Sequence, residues 1–517
     1  MYIRPDDLSR FDGLVLEDVI PKHDKVWYKY PNLLKLNKLL LAAILTNMTN
    51  GFDGSMLNGL QSVPAWTNYF DHPSGTRLAW MGNAMVLGGV LISPVTPYIC
   101  DKYGRRKPIF WGCAIIVLGS LFQGLAVSYR MFVLARALIG LGLSLASIAA
   151  PLLLVECAYP PQRGQMTSVL EPAWPVGSFF AAITTYLTFK MHDTNWSWRI
   201  PSLFQGLFPL IQCILVTYAP ESPRWLVSQK RYDEAFSFLV EYHGNGDPDS
   251  DLVQFEMAEI AAAIEAEIAA KQSRWSQFFS TSGMKHRFFI VSVISIMAQF
   301  SGNGVLSYYL AIVLTNMGIT DPNSQLLINL GSTIFTIFTA FTIALQIERI
   351  GRRTAFIIGF STMFLDYMLW TFLSAVNEKL GFQNQGLVRL TVIVMIAYNF
   401  FYHFVGPFVP TYVVEVVPFS LRSKTTMYSQ LIQAFTLGVS NFINPVGLER
   451  WGWRFYSVSI VALALWTILA YTYFPETGGK GLEEIAEIFD GEEALGVYHG
   501  HRIELADDEE DNLIRRA

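Results

Sequence analysis

The chain has 517 residues, 52% of them hydrophobic and only 15% charged, with a mean hydropathy of +0.33. A soluble globular protein carries about 25% charged residues, so this composition argues against an ordinary water-soluble fold. The net charge of -5 argues against a general nucleic-acid role. The four cysteines, Cys100, Cys113, Cys157 and Cys213, have no paired spacing that suggests a disulfide framework or a metal site.

Residues 1–36 are charged and lack the apolar core and small-residue cleavage site of a removable signal peptide, so this tail is expected in the cytosol. Twelve mostly apolar runs of roughly 18 or more residues follow, each long enough to cross about 30 Å of hydrocarbon as a helix. Six lie at 38–60, 79–99, 107–126, 131–157, 166–189 and 201–219, which makes 37–219 one bundle. The polar segment 220–286, with DEAFSFLVEY and FEMAEIAAAIEAEIAA as amphipathic helix candidates, is expected to be a cytosolic helical linker. Six more runs, at 287–315, 325–346, 354–375, 387–414, 424–446 and 453–474, make a second bundle over 287–474, and 475–517 form a cytosolic tail. Lys102, Arg105, Arg106 and Lys107 after the second run, and Arg349, Arg352 and Arg353 after the eighth, agree with the positive-inside rule. The expected fold is an all-α membrane protein of twelve transmembrane helices in two pseudo-symmetric six-helix bundles.

The second half echoes the first. DKYGRR from Asp101 is answered by ERIGRR from Glu348, and Glu156 with Arg163 by Glu415 with Arg422, seven residues apart in both copies. PESPR, with Glu221 and Arg224, is answered by PETGG, with Glu476. Each echo puts acids and arginines at helix ends on the cytosolic side, where bidentate pairs can form. Asp101, Arg105, Arg106, Glu156, Arg163, Glu221, Arg224, Glu348, Arg352, Arg353, Glu415, Arg422 and Glu476 are therefore expected to gate, latching opposite halves with exposed pairs worth about 0–1 kcal/mol each. Repeated six-helix units of this kind belong to transporters with a site at the repeat interface.

DKYGRRK, ECAYPPQRG, WRIP, PESPRWL, SGNGVLSYY, ERIGRR, EVVPFSLR and FPETGGKGLEEI together resemble the sugar porter family of the major facilitator superfamily. GFDGSMLNGLQ, SWRIPS and SGNGVLSYYL are most similar to its fungal lactose-permease and cellodextrin-transporter branch. The resemblance implies a carrier rather than an enzyme, working by alternating access around a central sugar site, without a cofactor.

A carboxylate near the bilayer centre costs about 2.5–3.5 kcal/mol on insertion scales, so Asp53 in the first run needs a reason to stay. The resemblance places it at the proton-binding aspartate of proton-coupled members, with Arg136 as its partner; a static ion pair fastening two helices is the alternative. For the sugar itself, Gln299 and Asn303 offer amides beside glycines that can unwind the seventh run. Tyr308 and Tyr309 are expected to form an outer gate, or else ordinary aromatic packing. The resemblance puts Asn441 at a sugar contact and Glu171 where a sugar-binding amide usually stands, as a second buried acid for a hydroxyl, a cation or another proton. VGPFVP, 405–410, is a second helix break from Gly406 to Pro410, and GLGLSLAS reads as close helix packing. Asp366 and His403 are further polar residues inside runs. Ala298, Thr336 and Pro410 depart from the family pattern, and Asn195-Trp196-Ser197 is a glycosylation sequon in an external loop.

These residues imply proton-coupled import of a disaccharide of the lactose or cellobiose type, or of a hexose, by a monomer in the plasma membrane. The expected partners are the sugar, protons and lipid, and no nucleic acid. A carrier or exporter of a non-sugar metabolite is the alternative reading. A non-transporting sugar sensor is a third, disfavoured by the short tail after Phe474.

Overall fold

The computed structural model describes residues 19–21, 27–191, 194–270, 275–344, 350–418, 421–478, 485 and 488–490, with backbone alone at 168, 265–270, 344 and 423. Every regular element among them is a helix. The first six long elements are α1 (Pro31–Leu60), α2 (Gly75–Ile92, continued after a 51° bend by Thr96–Tyr103), α3 (Arg106–Gly124), α4 (Tyr129–Cys157), α5 (Leu170–Phe189) and α6 (Trp196–Phe204 with Leu207–Tyr218). The second six are α7 (α7a, Ser282–Met297, and α7b, Asn303–Asn316), α8 (Pro322–Ala344), α9 (Arg352–Lys379), α10 (Gln385–Tyr402 with Phe408–Glu415), α11 (Arg422–Trp451) and α12 (Tyr456–Tyr473).

Seven described stretches are long and apolar enough to span a bilayer, or eight with the bent α2. One of them, Lys424–Tyr473, contains both α11 and α12. The spans that miss this test have local reasons: α1 carries Lys35, Lys38 and Asp53, α5 opens with Glu171 and Pro172, and α7 is broken in the middle. Residues such as Leu91, Leu134, Phe338, Phe372, Phe435 and Val461 are outward-facing and exposed, as an apolar belt against lipid requires.

The breaks follow from residue type. The ladder of α7a ends at Met297, and Gly302, at φ +92, a left-handed conformation that side chains rarely adopt, caps the start of α7b. Three helices satisfy the carbonyls freed there. Trp466 Nε1 of α12 donates to Phe300 O (3.1 Å), Tyr398 Oη of α10 to Ser301 O (3.0 Å) and Tyr367 Oη of α9 to Gly302 O (2.8 Å). In α10 the ladder lapses between Tyr402 and Phe408, at the expected glycine-proline pair Gly406-Pro407.

Elsewhere glycines let backbones touch. A Cβ on Gly88 would strike Ala137 O, one on Gly140 would strike Met85 O, and one on Gly142 would come within 2.5 Å of Gly112 O. The glycine-rich stretch of α4 is thus a packing surface against α2 and α3, as its composition indicates. A Cβ on Gly177 would strike Met48 O, locking α5 to α1 in the same way.

Three linker helices, Pro223–Ser228, Tyr232–Tyr242 and Asp251–Ala270, share a core with one end of the first six-helix unit. Trp225, Phe238, Leu239 and Val253 of the linker pack with Leu36, Leu40, Cys100 and Leu153. The two six-helix units meet along α5 with α8, α2 with α11, and α1 with α7b.

Candidate functional site

Asp53 lies about three-quarters of the way along α1 with no exposed surface, beside the core residues Phe52 and Met56. Gln205 Nε2, from the break in α6, donates to Asp53 Oδ1, and Gln123 Nε2 of α3 donates to Gln205 Oε1 at 3.0 Å. The two glutamines sit in identical pentapeptides, LFQGL at 121–125 and at 203–207. A Cβ on Gly124 would come within 2.5 Å of Leu203, and one on Gly206 would strike Ser120 Oγ, so each glycine brings the other helix close enough for the amides to meet.

Arg136, on α4, is also buried and acts electrostatically on Asp53, yet no N···O contact within 4 Å joins them. Arg136 is thus a neighbour of Asp53 without direct contact, and the alternative of a static ion pair fastening the two helices is not what the geometry shows. The guanidinium points its Nη2 at Met85 Sδ (3.8 Å), and its Nε and Nη1 have no partner, nor has Asp53 Oδ2. Gln205 holds one carboxylate oxygen, leaving the acid and the base adjacent and unjoined. Sequence reasoning missed Gln123 and Gln205; the repeated LFQGL was the signal that could have found them.

At the end away from the linker, α7b closes on α1. Tyr308 packs beside Gly54, and its carbonyl accepts from Gln61 Nε2 (2.8 Å). Tyr309 is non-helical (φ -135, ψ 26) and sends its hydroxyl to Asn441 O of α11 (2.9 Å). The amide of Leu310 at this kink donates to Asn58 Oδ1 of α1 (2.9 Å). The structure therefore brings Tyr308 against the first unit, and Tyr309, anchored on Asn441 of its own unit, beside that contact.

Behind this contact is a cavity of about 50 Å³, room for a few waters. Ser55, Asn58, Trp174 and Ser178 line it from the first unit, and Ser307, Asn329, Thr336 and Asn399 are among the residues lining it from the second. Hydroxyls, amides and one indole face make a lining suited to a polyhydroxylated solute. Asn58, Trp174, Ser178, Asn329 and Asn399 were not singled out from sequence, because isolated amides and hydroxyls in long apolar runs are common. Glu171, Gln299, Asn303 and Asn441 do not line this space. Asn303 Oδ1 instead accepts from Ser307 Oγ (3.1 Å), and Asn441 Oδ1 is buried without a partner. Glu171, at the start of α5, has its surface open to the space between the units while protein surrounds the carboxyl, within electrostatic reach of Tyr402. His403 Nε2 is buried without a partner.

The duplicated charges pair within each unit, not between opposite halves as expected. Arg105 makes a two-point bridge to Glu156 (2.9 and 3.0 Å) and lies 3.7 Å from Asp101. Glu221 accepts from the backbone amides of Arg105 and Arg106 (2.9 and 3.3 Å), and Arg106 Nε donates to Val216 O (3.2 Å). A Cβ on Gly104, at φ +89, would strike Glu221 Oε2. The second unit repeats the plan: Arg352 reaches Glu415 Oε1 (3.1 Å), Glu476 takes the amide of Thr354 (3.4 Å), and Arg353 donates to Tyr471 O (2.7 Å).

Arg163 is drawn away from Glu156, which Arg105 occupies, and lies 4.0 Å from Glu256 of the linker. Glu256 also meets His243 Nδ1 (2.6 Å), both buried, while burial and Glu256 together push the Tyr159 phenol up to about 12. Arg422 Nε donates to Val417 O (3.4 Å), Arg224 sits in the first linker helix, and Glu348 lies outside the described residues. Asn195 is exposed in the turn before α6, whereas Ser197 of its sequon is buried. Among the described residues no group of three His, Cys, Asp or Glu side chains could hold a metal.

Comparison with known proteins matches residues 39–489 to the family described as Sugar (and other) transporter. The chain is 25% identical over 508 residues to the high-affinity glucose transporter of Kluyveromyces lactis, covering 93% of this chain and 90% of that one. It is 26% identical over 454 residues to the arabinose-proton symporter of Escherichia coli K12, covering 86% and 91%. The inward open structure of the xylose transporter XylE from E. coli superposes with a TM-score of 0.72 at 21% identity, over 88% of this chain and 100% of that one. The chain belongs to the sugar transporter family of the major facilitator superfamily, and it is a multi-pass membrane carrier and not an enzyme.

Proposed function

We propose that this protein imports a sugar across the plasma membrane by alternating access, driven by protons moving through Asp53. The observation that carries the reading is a fully buried carboxylate, hydrogen-bonded by Gln205 and within the field of Arg136, immediately beneath the contact of α1 with α7b. An unpaired acid next to an unpaired base can take up a proton and release the base to other contacts, which is how two chemical states bias two packings. One proton moving down a membrane potential supplies about 2.3 kcal/mol per 100 mV. That is enough for roughly a fifty-fold gradient of a neutral solute, since about 1.4 kcal/mol is a factor of ten.

In this reading the linker side is cytosolic and both termini lie inside. The outer gate is shut by Tyr308, Tyr309 and Asn58, and the protein works as a monomer with 37–219 and 287–474 as its moving bodies. Gln299, Asn303, Asn441 and Glu171 join the small polar cavity when the units rock apart, and a disaccharide of the lactose or cellobiose type is the proposed cargo, a hexose the next. The test is uptake of labelled lactose, cellobiose, glucose and several organic acids into proteoliposomes under an imposed pH gradient. Sugar uptake that follows the gradient supports the reading, and uptake indifferent to it removes proton coupling. The Glu171 carboxylate beside the space between the units favours a second reading, a non-sugar metabolite as cargo; transport of none of the sugars and of one of the acids would select it.

A further inference from the structure

The chemistry above leaves one intramembrane acid unused. Asp366 lies at the middle of α9, is 8% exposed, and has a buried Oδ2 with no partner. Towards the end of α9 away from the linker, Trp370 Nε1, Ser374 Oγ and Asn377 Oδ1 are likewise buried and unpartnered. Spacings of four, four and three residues put all four groups on one helix face, and eleven residues of rise cover about 16 Å. Tyr456, at the start of α12, lays its ring against Trp370 at 4.3 Å between centroids, and its hydroxyl is a fifth orphan in the same seam.

Native interiors leave few polar groups unpaired, and each unpaired one costs about 1–3 kcal/mol. Five of them, four along one face of α9 and the fifth on the bordering Tyr456 of α12, with Thr391 of α10 bordering at Asn377 (2.8 Å), are explained together by ordered water, each molecule bonding two to four such groups. The seam ends beside Glu378, a half-exposed carboxylate that takes Trp453 Nε1 (2.7 Å) and Arg454 Nη2 (3.4 Å) at the far surface. The titratable groups facing Asp366 are Tyr367 on its own helix, Tyr398 on α10 and, further along the seam, Tyr456 on α12. Among the described residues no cation pairs with Asp366, and a carboxylate without a counter-charge at membrane depth is costly enough to mark a functional site.

We propose that Asp366 is a second proton-binding site, loaded from the far face through a file of water between α9 and α12 and separate from Asp53. A hydronium arriving along the file gives its proton to Asp366 Oδ2 and leaves as water, and release runs the same transfer backwards. The proposal holds whatever the transported solute and whatever Asp53 does, because the two acids lie in different six-helix units.

Infrared spectroscopy of the full-length protein in lipid tests it. Asp366→Asn is expected to remove one protonated-carboxyl band that survives in Asp53→Asn. Ser374→Val and Tyr456→Phe are expected to slow the shift of that band in heavy water at least tenfold. Bands unchanged in Asp366→Asn, or exchange unchanged in both file variants, would overturn the proposal. Should Asp366→Asn fail to fold, radiolytic labelling of the unaltered protein decides: oxidation of Trp370 and Tyr456 by bound water supports the file, and two unlabelled rings refute it.

Discussion

In the first unit Arg105 and Glu156 meet at two points with side chains 11% and 9% exposed, whereas Arg352 and Glu415 meet through a single carboxylate oxygen and are 20% and 24% exposed. The linker adds to the first network through Glu256, Arg163 and His243, and its helices extend the first unit's core. The second unit holds the longer interruptions, in α7 and α10, against the shorter ones in α2 and α6, and supplies much of the polar cavity lining. Duplication kept the same charges at the same helix ends, and burial made one copy a fastened block and the other a looser assembly. The block carries the buried acid and base; the looser unit carries the segments that close over the cavity.

That contrast can be broken at several depths. The largest effect is expected from Asp53→Asn, which should bring proton-driven accumulation to the level of simple equilibration while leaving exchange across equilibrated vesicles intact; a variant that still concentrates solute would move coupling away from the first unit. Next, Glu156→Gln takes from a largely buried guanidinium its two-point charged partner, leaving it only Asp101 at 3.7 Å, and should cost about 3 kcal/mol. Glu415→Gln, in the more solvated copy, should cost only about 1 kcal/mol. Thermal unfolding in detergent ranks the two, and the reverse order would undo the distinction drawn here.

Smaller again, Tyr398→Phe strands the carbonyl of Ser301 and should cost about 1–2 kcal/mol, with a change in the rate of gate closure read by fluorescence from a label on α7b. An unaltered rate would show that the break does not govern the gate. The smallest effect belongs to the cap of α8. There Ser324, through its backbone amide and hydroxyl, hydrogen-bonds Asp321 and holds its carboxyl below the ordinary value of 3.8. An acid depressed on folding stabilises above its unfolded value and loses that contribution as pH falls through the folded one. Asp321→Ala should therefore lower the melting temperature slightly at neutral pH and not at all in strong acid; a difference that grows in acid would contradict the cap.

Much of the fold was readable from sequence because bilayer thickness dictates run length and because glycine and proline dictate breaks. The unwinding at Gly302 and the lapse at Gly406-Pro407 both fall where composition placed them. The site was less legible. Charges at helix ends announce that pairs will form but not which, since Glu156 had both Arg105 and Arg163 within reach and the choice depends on a linker carboxylate. Asp53 announced itself by its cost, while its hydrogen-bond partner is the Gln205 amide of α6, itself held by Gln123 of α3, and apolar patterning does not separate these from other buried amides. For Glu171, position in a run does not say that its face of the helix looks into the space between the units.

The side chains of Tyr367, Tyr398 and Trp466 at the interruption in α7 bear on the speed of turnover. Peptide groups in hydrocarbon cannot be stripped of partners cheaply, so a straight rod that had to unzip in every round would face a barrier of several kcal/mol. Here the rod is already unzipped and its loose ends are already tied to the frame, like a door leaf hung on a fixed jamb. Swinging α7b need break no rung of the ladder, and the pace of the door is left to the side chains that meet at its free edge.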